Sequence, residues 1–403
     1  MKIQLVPNEL SAKIKVLGIG GAGGNAINDM IASQMVGVDF IAANTDAQAL
    51  ERSHAPVKIQ LGSGVTRGLG AGGDPEIGRK AAQEEAERLK QVLQGADMVF
   101  IAAGMGGGTG TGGAPVVAEI SREAGALTVA VVSKPFEFEG RMKGRLSEKG
   151  IEELRQMADT IITIPNDRLF SLGSKNTRSI DVFAQANEVL GSAVRGISDL
   201  IVLPGFANLD FADVRSVMKE RGMALMGTGL ASGAERASAA ARKAISHPLL
   251  EDISIRGARG ILVNITTTRD FTMEELKEVC DIIREEAHDD ALIKWGLVYN
   301  DDLGEEIRVT VIATGIGKRG DTERLPKPAP LSFQAEMEED LDIPTILRQG
   351  PEQAPPRVAE GSRSEARPAP NLGIVAGKKH IAHPDLQYEE NELDIPPFLR
   401  KPQ

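Results

Sequence analysis

The sequence predicts an α/β fold: a parallel sheet, then one long helix, then a smaller α/β unit, then a tail without fixed structure. Three observations predict it. Short apolar runs alternate with helical patterns through residues 13–164, a differently ordered set of strands and helices occupies 224–313, and composition breaks near residue 318. Strands alternating with helices form parallel sheets covered on both faces. Of 21 prolines, 13 fall between Pro326 and Pro402, whereas 39 of 44 glycines precede Lys318. The last 86 residues, rich in Pro, Glu, Arg and Ala, bury too little apolar surface to offset their ordering entropy and read as disordered.

The elements follow in order. Lys13–Ile19 (K-I-K-V-L-G-I) is a short apolar run stopped by glycine, as a buried parallel strand is. A helix begins around Asn25. Further strands are expected at Val38–Ala43, Val57–Leu61, Met98–Ala103, Leu127–Val132 and Thr160–Ile164. One helix is expected from Asp74 to Gln94, with Asp74 at the N-cap, Pro75 at the first helical position and Gly95 at the end. A long helical pattern runs from Val182 to Ile201. Beyond it come a strand at Ala224–Ala231, a helix at Glu235–Ser246, a strand at Gly260–Thr267 and a helix at Thr272–His288. Strands at Leu292–Tyr299 and Ile307–Ala313 complete a unit of four strands and two helices.

Composition excludes several classes. With 41% hydrophobic and 26% charged residues the chain is able to bury a sizeable core. A net charge of −11 argues against nucleic acid, whose binding needs Lys and Arg against phosphates. No run of about 18 apolar residues spans a membrane, the N-terminus lacks a signal peptide's apolar segment, and Cys280 stands alone. The expectation is a soluble, cytoplasmic protein. The five histidines show no ligand spacing and the methionines are scattered, so no protein-held metal is expected.

The glycines carry the chemistry. Gly18–Ile27 (G-I-G-G-A-G-G-N-A-I) runs from strand to helix and satisfies G-x-G-x-x-G, where backbone N–H groups and a helix N-terminus suit a phosphate. Alone, this is a weak signal that a tight strand–helix turn also produces. From Gly104 to Gly113 (G-M-G-G-G-T-G-T-G-G) seven of ten residues are glycine. At about 0.5–1 kcal/mol each against alanine, they would cost roughly 3–7 kcal/mol, a penalty not expected of a purely structural loop. Thr109 and Thr111 add hydroxyls suited to phosphate oxygens or phosphate-bound Mg²⁺. A third glycine loop, Gly68–Glu76, runs into a helix start; by itself it is equally a capped turn. Two such loops after strands of one parallel sheet define a nucleotide site. G-x-x-x-x-G-K-[ST] is absent, which excludes a P-loop NTPase.

These motifs resemble the tubulin/FtsZ family of GTPases. The likeness rests on G-G-G-T-G-T-G (Gly106–Gly112), A-N-T-D-A-Q-A-L from Ala43, G-L-G-A-G-G-D-P-E-I-G from Gly68 and P-F-E-F-E-G from Pro135. It extends to I-P-N-D-R-L at Ile164 and N-L-D-F-A-D-V-R at Asn208, and covers about residues 12–316. The resemblance implies a tubulin-like, Rossmann-type GTP-binding domain over 1–181, a central helix over 182–202, a second domain over 203–317, and a disordered linker over 318–403. It implies phosphate contacts from Gly21, Ala22, Gly23, Gly24, Asn25, Gly107, Gly108, Thr109 and Gly110, with Asn44 and Asp46 near the γ-phosphate. Glu139 would touch the ribose; Asn166, Phe183, Asn187 and Glu188 would surround the guanine. Independently of any family, Phe183 offers a stacking face, and Asn side chains offer a donor and an acceptor to a base edge. The family usually shows E-G-x-x-R, and here Lys143 occupies the Arg position. Lys supplies a point charge instead of a planar fork; Arg141 and Arg145 flank it, and the sequence leaves open which cation serves. GTP is the implied substrate and Mg²⁺ its implied companion.

Asp210 and Asp213 stand three apart at a helix start, which fits an N-cap with an acidic first turn. The resemblance implies more: with Asn208 they would reach the site of the next subunit and orient the water that attacks the γ-phosphate. The expected function is a cell-division GTPase that polymerises head-to-tail into the division ring, with hydrolysis coupled to assembly. In the tail, E-D-L-D-I-P-T-I-L-R-Q (Glu339–Gln349) recurs as N-E-L-D-I-P-P-F-L-R-K (Asn391–Lys401), identical at six of eleven positions. Apolar anchors beside charges suit a groove-binding peptide. By resemblance, Leu393–Lys401 would bind membrane-anchoring adaptors and regulators at mid-cell beneath the inner membrane; Leu341–Arg348 would be a second copy. Two rivals remain at this point. A nicotinamide oxidoreductase would leave the second glycine loop unexplained, and a GTP-binding scaffold with little turnover is motivated by Lys143.

Overall fold

The structure is a computed structural model, and it describes residues 12–169, 178–203, 205–219, 222–250 and 257–316. The tail with its two related peptides lies outside the described residues.

The first half is built from β1 (Ile14–Ile19), α1 (Gly20–Ala32), β2 (Val38–Asn44), α2 (Ala47–Glu51), β3 (Val57–Gln60), α3 (Ser63–Thr66), α4 (Pro75–Glu84), α5 (Ala86–Leu93), β4 (Met98–Gly104), α6 (Thr109–Glu123), β5 (Leu127–Lys134), α7 (Arg141–Met157), β6 (Thr160–Pro165) and α8 (Asn166–Leu169). The long helix is α9 (Ser179–Val202). Then come β7 (Gly205–Ala207), α10 (Phe211–Met218), β8 (Gly222–Ala231), α11 (Arg236–Ile245), β9 (Gly260–Thr267), α12 (Met273–Glu286), β10 (Leu292–Tyr299) and β11 (Ile307–Ile316).

The strands form one sheet in the order β3-β2-β1-β4-β5-β6-β8-β11-β9-β10-β7. The six from β3 to β6 are mutually parallel. Side chains of successive strand residues leave on opposite faces, so each strand feeds two cores. Val16, Phe100, Val129 and Val131 meet Ile27, Met30, Leu190 and Ile197 on one side. Leu17, Ile101, Ala130 and Val132 meet Leu89, Val117 and Leu154 on the other. Each fully buried aliphatic side chain here stabilises by about 1.5–3 kcal/mol. Along α9, Leu190, Ala193, Val194, Ile197 and Leu200 are buried at helical spacing, which fixes this helix against the sheet.

Several elements differ from the sequence expectation. α1 starts at Gly20, not near Asn25, so its first glycines are helical: Gly23 lies against Ala102 of β4 with no room for a side chain, and packing overrides propensity. The expected helix 74–94 is two helices with a break at Glu85, which no Gly or Pro marks. β7 has no sequence counterpart. Its three residues pair antiparallel with β10, with Leu297 opposite Ala207. β9 and β10 have the expected bounds.

Candidate nucleotide site

Because β2, β1, β4, β5 and β6 are parallel, the loops that follow them leave the same edge of the sheet. The order β3-β2-β1-β4-β5-β6 reverses direction between β1 and β4, and a crevice outside the strand ends at such a point is where doubly wound folds hold ligands. Two helices start there, α1 and α6. Neither has a side-chain cap or an acidic residue in its first turn. By contrast, Asp46 caps α2 and Asp74 caps α4 with their carboxylates. The first N–H groups of α1 and α6 therefore have no carboxylate of their own, which is the electrostatic setting for an anion.

The glycines of these loops divide into two kinds. A Cβ on Gly112 would lie 1.9 Å from the Pro75 oxygen, on Gly113 2.6 Å from Ile19 Cδ1, on Gly110 2.5 Å from the Gly104 oxygen, and on Gly108 2.8 Å from Ala71 Cβ. Gly104 faces Ala22 at 2.6 Å in the same way, and Gly106 combines φ +100° with the Lys143 oxygen at 2.9 Å. Six of the seven glycines from Gly104 to Gly113 are thus required by close packing against several neighbours, α4 among them at Gly112. The expectation that packing could not account for them is corrected. Gly21, Gly24 and Gly107 are of the other kind: a Cβ on any of them would meet nothing within 4 Å. Those three leave a cradle that a methyl group, or a phosphate oxygen, would fill. Gly21, Gly24 and Asn25 line a cavity of about 480 Å³ together with Asn44 and Asp46.

The loops touch one another. A Cβ on Gly20 would lie 3.1 Å from the Gly110 nitrogen, joining the first loop to the second. Thr45 and Thr109 share a hydroxyl hydrogen bond of 2.6 Å, joining the loop after β2 to the start of α6. The Gly70 N–H donates to the Thr45 carbonyl (3.2 Å), which brings in the third loop. Asn44 is buried, and its Oδ1 accepts the Asp46 N–H at 3.2 Å. Thr111, expected to face a ligand, is instead buried and accepts the Gly106 N–H at 2.8 Å, bracing the loop from within.

Farther along the same edge lies an aromatic and amide cluster. Phe183, on the first turns of α9, is 46% exposed and packs edge-on to Phe136, with centroids 5.4 Å apart. Asn166 opens α8 after β6; it is buried, and its Oδ1 has no hydrogen-bond partner among the described residues. A buried acceptor left unpaired is costly, and a base edge carrying N–H donors would satisfy it. Glu139 accepts the Phe136 N–H at 3.0 Å and pairs with Lys143 Nζ at 3.0 Å, so its orientation is set from both sides. Arg141 instead lines a separate cavity of about 380 Å³ with Glu137 and Asp167. Asn187 and Glu188, one turn beyond Phe183, border a cleft of about 510 Å³ with Asp29 of α1.

Asn208, Asp210 and Asp213 are elsewhere. They follow the C-terminal end of α9, and from Phe183 to Val202 the helix extends about 29 Å at its usual rise. Asn208 Nδ2 donates to the Leu203 carbonyl (3.0 Å), and Asp210 caps α10 by accepting the Asp213 N–H at 2.7 Å. The Asp213 carboxylate pairs with Lys294 Nζ at 2.7 Å. The glycine cradle and the acidic loop are therefore brought to opposite ends of one rigid helix. Two residues were missed in the sequence. Thr45, between Asn44 and Asp46, ties two loops together, and Lys294 has no motif to mark it.

A tubulin/FtsZ family GTPase-domain model matches residues 13–174, and an FtsZ-family C-terminal-domain model matches residues 222–317. The cell division protein FtsZ of Azotobacter vinelandii is 48% identical over 396 residues, covering 97% of each chain. That of Pseudomonas aeruginosa is 47% identical over 404 residues, again covering 97% of each. Among solved structures, an empty FtsZ dimer from M. jannaschii matches at TM-score 0.73 and 45% identity, covering 76% of this chain and 89% of that one. With both family models in sequence order and relatives alike over nearly their whole length, the chain belongs to the FtsZ family of tubulin-like GTPases.

Proposed function

We propose that this protein binds GTP in the crevice between β1 and β4 and hydrolyses it within a head-to-tail filament that serves cell division. The observation that carries the reading is the separation of the cradle from the acidic loop by the length of α9. A single chain cannot close that gap, whereas a second copy stacked end-on supplies Asn208, Asp210 and Asp213 to its neighbour. A heterologous contact of this kind does not close on itself and propagates.

In this reading the N–H groups of Gly21–Asn25 and Gly107–Gly110 hold the phosphates, Thr109 and Asp46 border the γ-phosphate, and Glu139 faces the ribose. Phe183 stacks on the guanine, Asn166 accepts from its edge, and Asn187 and Glu188 complete that pocket. Asp213 and Asp210 orient the attacking water, since phosphoryl transfer depends on placement and electrostatics. Among the described residues no three His, Cys, Asp or Glu groups converge. Mg²⁺ would therefore be held chiefly by phosphate oxygens, where it offsets their charge. No helix among the described residues is long and apolar enough to cross a membrane. Recruitment to mid-cell beneath the inner membrane would fall to adaptors that capture Leu393–Lys401, with Leu341–Arg348 as a second handle.

The test measures phosphate release and sedimentable polymer together across a range of protein concentrations. Turnover per subunit should rise as polymer forms, and Asp213→Ala should bind GTP and assemble while releasing at least tenfold less phosphate. Equal turnover in dilute and concentrated protein would refute the shared site. A scaffold with little turnover would instead give polymer without phosphate release.

A further inference from the structure

Lys294 stands on β10 opposite Leu262 of β9, and its ammonium lies 2.7 Å from one carboxylate oxygen of Asp213. The two side chains are 32% and 35% exposed, so the pair is partly withdrawn from solvent. The backbone of Asp213 is already fixed, its N–H donating to Asp210 Oδ1 and its carbonyl accepting from Ser216 Oγ, both at 2.7 Å. Only the direction of the carboxylate is left to choose, and Lys294 chooses it. The nearby cation of α10, Arg215, lies instead over the Phe211 ring, 6.0 Å from its centroid.

We propose that Lys294 is a positioning residue for GTP hydrolysis: it aims the Asp213 carboxylate and enters the neighbour's site with it. The inference rests on the reading that Asp213 acts on the next subunit. A bare carboxylate brought against a triphosphate is repelled, and an interface that excludes water screens this poorly. An ammonium held to one carboxylate oxygen cancels most of that repulsion at a distance and leaves the other oxygen to orient water. A lysine suits this because its charge is a compact point; an arginine keeps the charge that cancels the repulsion and should serve nearly as well, its broader fork making it somewhat less selective for one oxygen.

The experiment uses the full chain and turnover per sedimented subunit at saturating GTP, so that weaker assembly is not read as slower chemistry. Lys294→Met should lower kcat about tenfold while leaving KM and nucleotide binding by dilute protein unchanged. The deficit should widen at low ionic strength, and Lys294→Arg should return kcat to within about threefold of the parent. Asp213→Asn is measured beside it. Loss of turnover in Asp213→Asn with Lys294→Met within twofold of the parent would overturn the Lys294 proposal alone. Full turnover in Asp213→Asn would overturn the acidic-loop reading beneath it. A Lys294→Met deficit that Lys294→Arg does not repair, or that appears equally in nucleotide affinity, would mark Lys294 as merely structural.

Discussion

The division of the glycines into packed and open kinds makes opposite predictions for one chemical change, the addition of a methyl group. On Gly112 the new Cβ would lie 1.9 Å from the Pro75 oxygen and 2.7 Å from the Arg79 nitrogen, both backbone atoms of α4. Normal contact needs over an ångström more from the first of these, so α4 and α6 must separate. Overpacking of this kind costs about 3 kcal/mol or more where backbone meets backbone. On Gly21 or Gly107 the same Cβ meets nothing within 4 Å, and neither residue has a left-handed φ. Gly21 is helical, so alanine there should leave stability unchanged or raise it by about 0.5–1 kcal/mol. The methyl group would occupy space that a phosphate oxygen needs, and GTP affinity should fall at least tenfold, about 1.4 kcal/mol. Urea unfolding of the nucleotide-free protein and titration with a fluorescent GTP analogue separate the two effects. Gly21→Ala that binds nucleotide like the parent, or Gly112→Ala as stable as the parent, would refute the reasoning.

Four further outcomes are expected. Asn166→Ala should change unfolding stability by under about 1 kcal/mol, because it removes an acceptor without a partner, while lowering the preference for GTP over ATP at least tenfold; competition binding checks this. Burial raises the Asp199 carboxyl from 3.8 to about 6, against the attraction of Arg195 and Arg308. Between those values the folded chain holds more protons than the unfolded one, so stability falls as pH rises through that window, by up to about 3 kcal/mol. Asp199→Asn should therefore stabilise more at pH 7.5 than at pH 5 in urea midpoints. Arg236 bonds Glu275 at 2.7 Å, Asp270 at 3.1 Å and the Glu305 carbonyl at 3.1 Å, and Arg236→Met should cost about 3 kcal/mol in the same assay. In the full chain, removing Leu393–Lys401 should abolish capture by adaptor-coated vesicles, and removing Leu341–Arg348 should weaken it about tenfold through lost avidity; unaltered capture after the second deletion would eliminate the two-handle idea.

How far the sequence could be read depended on the range of the interaction concerned. β9 and β10 were legible to the residue because each is a short apolar run with punctuation at both ends. α9 was legible because its buried stripe repeats at helical spacing. β7 was not, since three residues pairing with β10 some 90 positions later carry no periodicity. The start of α1 was misplaced because glycine propensity argues against a helix, and the close approach of Gly23 to Gly18 and to Ala102 of the adjacent strand shows only in the fold. The glycine loops drew attention for a partly mistaken reason: most glycines of the second loop are there because neighbouring backbone and side chains leave no room for a Cβ, and only Gly107 in that loop faces open space. Asn166 could be picked out only by resemblance, and its unpaired oxygen emerged from the fold. Lys294 was invisible, because its partner Asp213 is 81 positions away and joins it through the packing of α10 on the sheet.

If α9 does hold cradle and acids apart as proposed, a matter of arithmetic follows. In a row of subunits where each lends its acidic loop forward, the number of finished sites is always one fewer than the number of subunits. One terminal nucleotide has no catalyst above it and outlives all the others. The two ends of such a row are therefore chemically unequal from the first dimer onward: one shows an idle cradle, the other idle acids.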